Sequence, residues 1–209
     1  MLLAHGARMD APGSAAAALV NGCLANGRAD AAEYLAGRGA PLDLEGAAGV
    51  GWLDLVKSFF NSDGSLKNTA TSAQMKGGFT WACEYGRTDV VEYLVDRGID
   101  VGGLFPRPHG QTGLHWAAHG GHVDTVEALL RRRAPVDVKD KRFSGTPLDW
   151  ALHGWSERKT DAAANDSYHD VVTLLVAAGA PVEPGWLSDE NVRANPRMFA
   201  ALNGKRRQS

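Results

Sequence analysis

Three histidines crowd the stretch "GQTGLHWAAHGGHVDTVEALL", residues 110–130: His115, His119 and His122. His115 and His119 are four residues apart, a spacing that sets two imidazoles side by side on one helical face, as zinc ligands often are. A zinc ion needs three or four ligands, and each imidazole is usually steadied by a carboxylate or a backbone oxygen. No glutamate lies between His115 and His119, so the His-Glu-x-x-His pattern of zinc proteases is absent. The histidines are therefore read as structural and surface residues. No metal, no cofactor and no catalytic residue is assigned. Cys23 and Cys83 have no base in their own motifs to activate a thiol, and they read as small buried apolar side chains.

Composition limits what else the chain does. Its 209 residues are 44% apolar and 22% charged, which suits a folded chain of one or two domains, or one repeat array. The formal net charge of −2 gives no global pull toward nucleic acid or an anionic membrane. Two cysteines are too few for a disulfide scaffold, so a reduced, cytoplasmic setting is expected. The opening "MLLAHGARMD" lacks the length and the preceding basic region of a signal peptide, and no apolar run approaches the roughly 18 residues of a spanning helix.

The elements that position the histidines repeat along the chain. "GRADAAEYLAGRGA", "GWLDLVKSFFNSDG", "GRTDVVEYLVDRGI", "GHVDTVEALLRRRA" and "SYHDVVTLLVAAGA" share one template. Its aspartates are Asp30, Asp54, Asp89, Asp124 and Asp170, in steps of 24, 35, 35 and 46 residues. Each is expected at a helix start, where negative charge suits the dipole. Small or β-branched residues follow two positions later and large ones five positions later, so both fall on one helical face. A shorter helical stretch precedes each, aligned as "FTWACEYG", "LHWAAHGG" and "LDWALHGW". One such helix pair cannot bury its apolar face alone, but stacked neighbours can.

The lettering resembles the ankyrin repeat, a β-turn and two helices with Thr-Pro-Leu-His-x-Ala opening the first helix. Thr112-Gly113-Leu114-His115-Trp116-Ala117 matches with glycine for proline, and Thr146-Pro147-Leu148 continues with Asp149 where histidine is usual. The resemblance covers residues 1–185 and is strongest over 79–180. It implies an all-α solenoid of stacked helix-turn-helix units with hairpin-like connections. One domain, 1–209, is expected: a partial repeat at 1–15, repeats at 16–43, 44–76 (irregular), 77–109, 110–143 and 144–183, then a cap and tail at 184–209. The resemblance also implies that His115 bonds backbone in a neighbouring loop and that His122 satisfies free backbone groups at the second helix. It gives the chain a bacterial cast, through Trp-Ala and Gly-Trp at these positions. The function it implies is a non-catalytic scaffold that binds another protein on its concave face.

The variable position after Ala117-Ala118 is His119. Its counterparts are His153 one unit on and Glu84, beside Tyr85, one unit back. This row reads as a recognition surface or as solvated helix ends, and the first reading is adopted. The connection "GGLFPRPHGQ" adds Phe105, Arg107 and His109, held between prolines; Phe105 either meets a partner or packs on its own repeat. The excess length falls in "GWSERKTDAAANDSY", 154–168, expected as a polar flexible loop that sets Trp155 near the row. That insertion over His119 and His153, with Asp149 or Glu84 nearby, is the one place for a small ligand or acid–base chemistry. Trp81, Trp116 and Trp150 recur at one repeat position and read as packed rings rather than a binding stripe. The run Arg131–Arg142 holds six basic and two acidic residues and reads as a solvated helix end or a contact for an acidic partner. Nucleic acid is not expected, because aromatic residues do not interleave with that charge. The incomplete first repeat, if it is an exposed edge, invites self-association or marks the chain as a region of a larger protein.

Overall fold

The computed structural model describes residues 17–105, 110–158 and 162–204. The regular elements among these residues are helices, with no strand; two isolated antiparallel bridges, Phe60 with Leu66 and Phe105 with Gln111, close hairpins. The all-α class expected from the repeats is the class observed. The chain divides into two compact units, Met1–Ile99 and Asp100–Ser209.

In the first unit, α1 (Ala18–Ala25), α3 (Leu44–Gly49) and α5 (Ser72–Glu84) are the first helices of successive pairs. Their partners are α2 (Ala29–Gly37), α4 (Leu53–Ser58) and α6 (Thr88–Asp96). First helices pack on first helices, α1 on α3 and α3 on α5. Val20, Leu24, Ala32, Ala36 and Trp81 fill one core cluster, with Cys23 and Tyr85 packed against it. Cys83 is fully buried, and burial pushes its thiol well above the ordinary value, the reverse of an activated nucleophile. In the short "PLDLEG" connection, Asp43 caps α3 by accepting from the Gly46 amide at 2.7 Å. Its carboxylate also accepts from Asn21 Nδ2 and Gln74 Nε2, each at 3.1 Å, and so ties α1 and α5 to α3.

In the second unit, α7 (Gly113–Gly120) and α8 (Val123–Arg131) pair, as do α9 (Pro147–Arg158) and α10 (Ala162–Ala177). Three short helices follow: α11 (Pro184–Ser188), α12 (Glu190–Ala194) and α13 (Pro196–Asn203). Met198 and Leu202 of α13 are buried, and α13 packs against α10. Asp30, Asp54, Asp89 and Asp124 stand in the first turns of α2, α4, α6 and α8. Asp170 does not; it lies well inside α10.

That exception has a local cause. Four first helices end at a left-handed glycine: Gly27, Gly51, Gly86 and Gly121, with φ between +67° and +79°. Thirty-four residues past Gly121 the chain has Trp155. A tryptophan is strained in that conformation, so α9 runs on to Arg158. On the far side, the alanine-rich stretch at 162–164 favours helix and starts α10 early. The expected flexible loop at 154–168 is therefore two helix extensions, with only 159–161 outside the described residues.

Second helices end on a common pattern too. Gly39, Gly98 and Gly179 follow α2, α6 and α10 in the left-handed region, at φ +87°, +95° and +94°. Each donates to a carbonyl three residues back, and the next residue donates to one five back (Ala40 to Leu35 and Ala180 to Leu175). After α8 the same position holds Arg133 at φ +61°, with the same pair of bonds. A side chain there costs about 1 kcal/mol relative to glycine. Arg133→Gly is expected to stabilise the protein by about that amount, seen as a rise of roughly 2–4 °C in the thermal midpoint.

Candidate functional site

The most tightly specified surface feature is the hairpin Asp140–Gly145. Asp140 is buried, and its carboxylate gathers four donors. Oδ1 accepts from the amides of Arg142 (2.8 Å) and Phe143 (2.7 Å); Oδ2 accepts from the Gly145 amide (3.0 Å) and Trp150 Nε1 (3.1 Å). Burial alone would raise its carboxyl pKa, but the amides of Phe143, Arg142 and Gly145 and the Trp150 indole outweigh it and hold the group below the ordinary carboxylate value. The loop so fixed displays Phe143, 64% exposed, with the Arg142 guanidinium 5.0 Å above its ring. Lys139, Lys141 and Arg142, its neighbours in sequence, are exposed.

His115 fastens the hairpin from the other side. Its Nδ1 accepts from the Thr112 amide at 3.1 Å, so the proton sits on Nε2, which donates to the Gly145 carbonyl at 3.0 Å. This is the loop-to-loop bond implied for that histidine. It leaves neither ring nitrogen for a metal, so the His115–His119 pair is not a ligand pair. His122 stands at the N-cap of α8, and its side chain does not cap that helix. Asp149 replaces the next motif histidine and does a capping job: Oδ2 accepts from the Thr146 amide and hydroxyl (2.7 and 2.8 Å), and Oδ1 accepts from Trp186 Nε1 (3.0 Å). Both oxygens are engaged in these bonds. Trp150 meets Trp116 edge-on at 5.3 Å, the packed-ring reading of these positions.

His119, near the end of α7, and His153, inside α9, come together. Their ring centroids are 5.7 Å apart, and Glu157 reaches both: Oε2 lies 3.5 Å from His119 Nε2, and Oε1 lies 3.6 Å from His153 Nε2. Gly154 permits this approach, since a Cβ there would sit 2.3 Å from the His119 carbonyl oxygen and 2.7 Å from the Tyr168 hydroxyl. That carbonyl accepts from Tyr168 Oη at 2.5 Å, and Tyr168 in turn accepts from Arg158 Nη1 at 2.7 Å. Burial lowers the His119 imidazole pKa against the pull of Glu157, while Arg158 lowers it further.

The other candidates fare differently. Phe105 is 4% exposed, its backbone bonded to Gln111, so it packs on its own unit instead of meeting a partner. Trp155 is also 4% exposed; its indole donates to Asn165 Oδ1 at 2.7 Å and clasps α9 to α10. Neither is a surface contact. Tyr85 is half-buried, its hydroxyl donating to the Leu24 carbonyl, and Glu84 beside it is half-buried. Glu84 and Tyr85 belong to the first unit, His119 and His153 to the second. Arg107 and His109 lie outside the described residues, as does the partial repeat at 1–15. Asp140, Phe143 and Glu157 were not singled out from sequence. Asp140 left one signal, an acidic residue buried in a basic run six positions before Thr146.

Residues 79–157 match the family model for ankyrin repeats, in three copies. These residues are ankyrin repeats. The chain is similar to an E3 ubiquitin-protein ligase, hecd-1, of Caenorhabditis elegans, 32% identical over 100 residues, covering 48% of this chain and 3% of that protein. It is similar to the palmitoyltransferase Hip14 of Drosophila melanogaster, 33% identical over 99 residues, covering 47% of this chain and 13% of that one. Inversin of Gallus gallus is 38% identical over 60 residues, 29% of this chain and 5% of inversin. The chain thus spans a small fraction of the length of these relatives. All three are eukaryotic, so they lend no support to a bacterial origin.

Two expectations arise from the Asp140 node and the buried histidines. Asp140→Ala strips charge-assisted bonds from a buried loop and is expected to cost about 2–4 kcal/mol in denaturant unfolding. For His115, burial lowers the pKa, against the Gly145 bond, Asp140, the Val138 bond and Asp149. For His169, burial and Arg197 lower it, against Asp166, Asn195 and Asp170. Both are buried neutral, so the unfolded chain binds more protons. Stability is full above the ordinary imidazole value of 6.5 and falls as pH drops below it through the lowered folded values. Urea midpoints across that range check the slope; a midpoint flat from pH 7 to 5 contradicts it.

Proposed function

We propose that this chain is a non-catalytic protein-interaction scaffold, which holds a partner protein through the face carrying His119 and His153 and through its hairpin tips. The observation that carries this reading is the Asp140 hairpin. It displays an exposed phenylalanine, with the Arg142 guanidinium over its ring, on a loop whose backbone is already fixed. A preformed loop loses little entropy on binding, and an aromatic–arginine pair is the composition of interface hot spots. The partner surface it fits is acidic with an apolar recess. Ankyrin repeats generally bind other proteins, and residues 79–157 include this hairpin. The setting we infer is cytoplasmic; among the described residues no helix is long and apolar enough to cross a membrane.

A second reading is that the chain is the docking region of a larger protein. The small share of each relative that it matches, 3% to 13%, favours this. A reading frame continuing upstream of Met1 supports it; a stop codon there counts against it.

The scaffold reading is tested by quantitative pull-down from lysate of the source organism, with wild type and the double variant Arg142→Ala, Phe143→Ala as baits. A protein enriched on wild type and reduced at least about tenfold on the variant, with unchanged circular dichroism, is the expected result. Equal capture on both removes the hairpin from the interface. No protein enriched on wild type removes the scaffold reading.

A further inference from the structure

We propose that His119, His153 and Glu157 form a binding site for a divalent transition-metal ion of the zinc class. The site stands whether or not the Asp140 hairpin docks a protein.

The argument begins with donor type. Two imidazoles and one carboxylate are the ligands that favour zinc over the hard cations magnesium and calcium, which take oxygen alone. Geometry agrees. One ligand atom from each of the three residues lies within 4.8 Å of the other two. Around a tetrahedral zinc, donors at about 2.0–2.1 Å stand about 3.3–3.5 Å apart. Glu157 Oε2 is 3.5 Å from His119 Nε2 and Oε1 is 3.6 Å from His153 Nε2, so each carboxylate oxygen is near that edge length from one imidazole; a turn of the exposed Glu157 and His153 side chains brings one oxygen and both rings to a common centre.

The fold supplies one fixed ligand and two adjustable ones. The His119 side chain is 23% exposed, and its ring lies edge-on to Trp150 at 5.6 Å. Tyr168 and Gly154 hold its backbone against α9. The His153 and Glu157 side chains are 64% and 51% exposed, which leaves them room to adjust to an ion. They are four residues apart on α9, the spacing that places two ligands on one helical face. Burial favours the neutral His119 imidazole, the form that binds metal. Three protein ligands leave a fourth position for water or for a donor from outside the chain.

Glu157 is a ligand only because α9 passes Trp155. A helix ended by glycine at that point, as α7 is at Gly121, would carry no residue into reach of both histidines.

The test is isothermal titration of the metal-stripped full chain with Zn²⁺, with Mg²⁺ in its place as a control. Wild type is expected to bind one equivalent of Zn²⁺ and no Mg²⁺. His153→Ala and Glu157→Gln are each expected to weaken Zn²⁺ binding at least about tenfold. Both residues are exposed, and circular dichroism checks that neither variant alters the fold. His122→Ala, a histidine outside the cluster, is expected to bind as wild type does. No binding by wild type overturns the proposal. So does affinity unchanged in His153→Ala and Glu157→Gln, or loss of equal size in His122→Ala.

Discussion

The second unit depends on one buried carboxylate. Asp140 takes four hydrogen bonds, three from backbone amides of its own hairpin and one from the Trp150 indole of the next helix. Burying a charge without partners is prohibitive, whereas burying it in a ring of N–H donors is tolerated and fixes the donors in turn. His115 adds the reciprocal tie by donating to the Gly145 carbonyl. Between them the two side chains satisfy a loop that has no regular ladder of its own. They do so without relying on Phe143, which is left at the surface.

A second constraint acts at most helix ends. The chain reverses twice per unit, and a tight reversal wants a residue with positive φ. Glycine supplies it at Gly27, Gly51, Gly86 and Gly121 after first helices, and at Gly39, Gly98 and Gly179 after second helices. Two places where another residue stands for glycine have opposite outcomes. At Arg133 the turn is kept and the residue is strained; at Trp155 the turn is abandoned and the helix lengthens. The difference lies in the next few residues. After Arg133 come Ala134 and Pro135, which cannot extend α8 profitably, while after Trp155 come Ser156, Glu157 and Arg158, which can extend α9.

Periodicity made the helix pairs legible, because a turn glycine, an aspartate at the helix start and an apolar pair recur together and each has a physical role. The all-helical class followed from that recurrence, and the family match over residues 79–157 names the same repeats. What was hidden was set by partners remote in type or direction. Asp140 sits among lysines and arginines, so it reads as one charge of a solvated run; its partners are amides, which no letter encodes. Phe105 has prolines and arginine around it, so its letters fit a partner contact or packing on its own repeat equally; it is bridged to Gln111 and buried. Trp155 and Asn165 are ten residues apart in a polar stretch, and only the extended α9 and α10 let the indole reach the amide.

The same lengthening adds a third group to His119 and His153, which the repeat register already aligns as counterparts. His115 and His119 share a helix and the right spacing, but His115 is bound at both nitrogens by structure. The pair that meets in space is His119 with His153, which are 34 residues apart and joined through the close approach at Gly154. In a stacked repeat, equivalent positions of successive units become neighbours, so a ligand set is assembled across units rather than along one helix. A repeat array thus places like residues side by side at no further cost in chain ordering, and a third ligand is needed from only one helix end. Here α9 extends just far enough beyond its glycine-less turn to bring Glu157 to both rings.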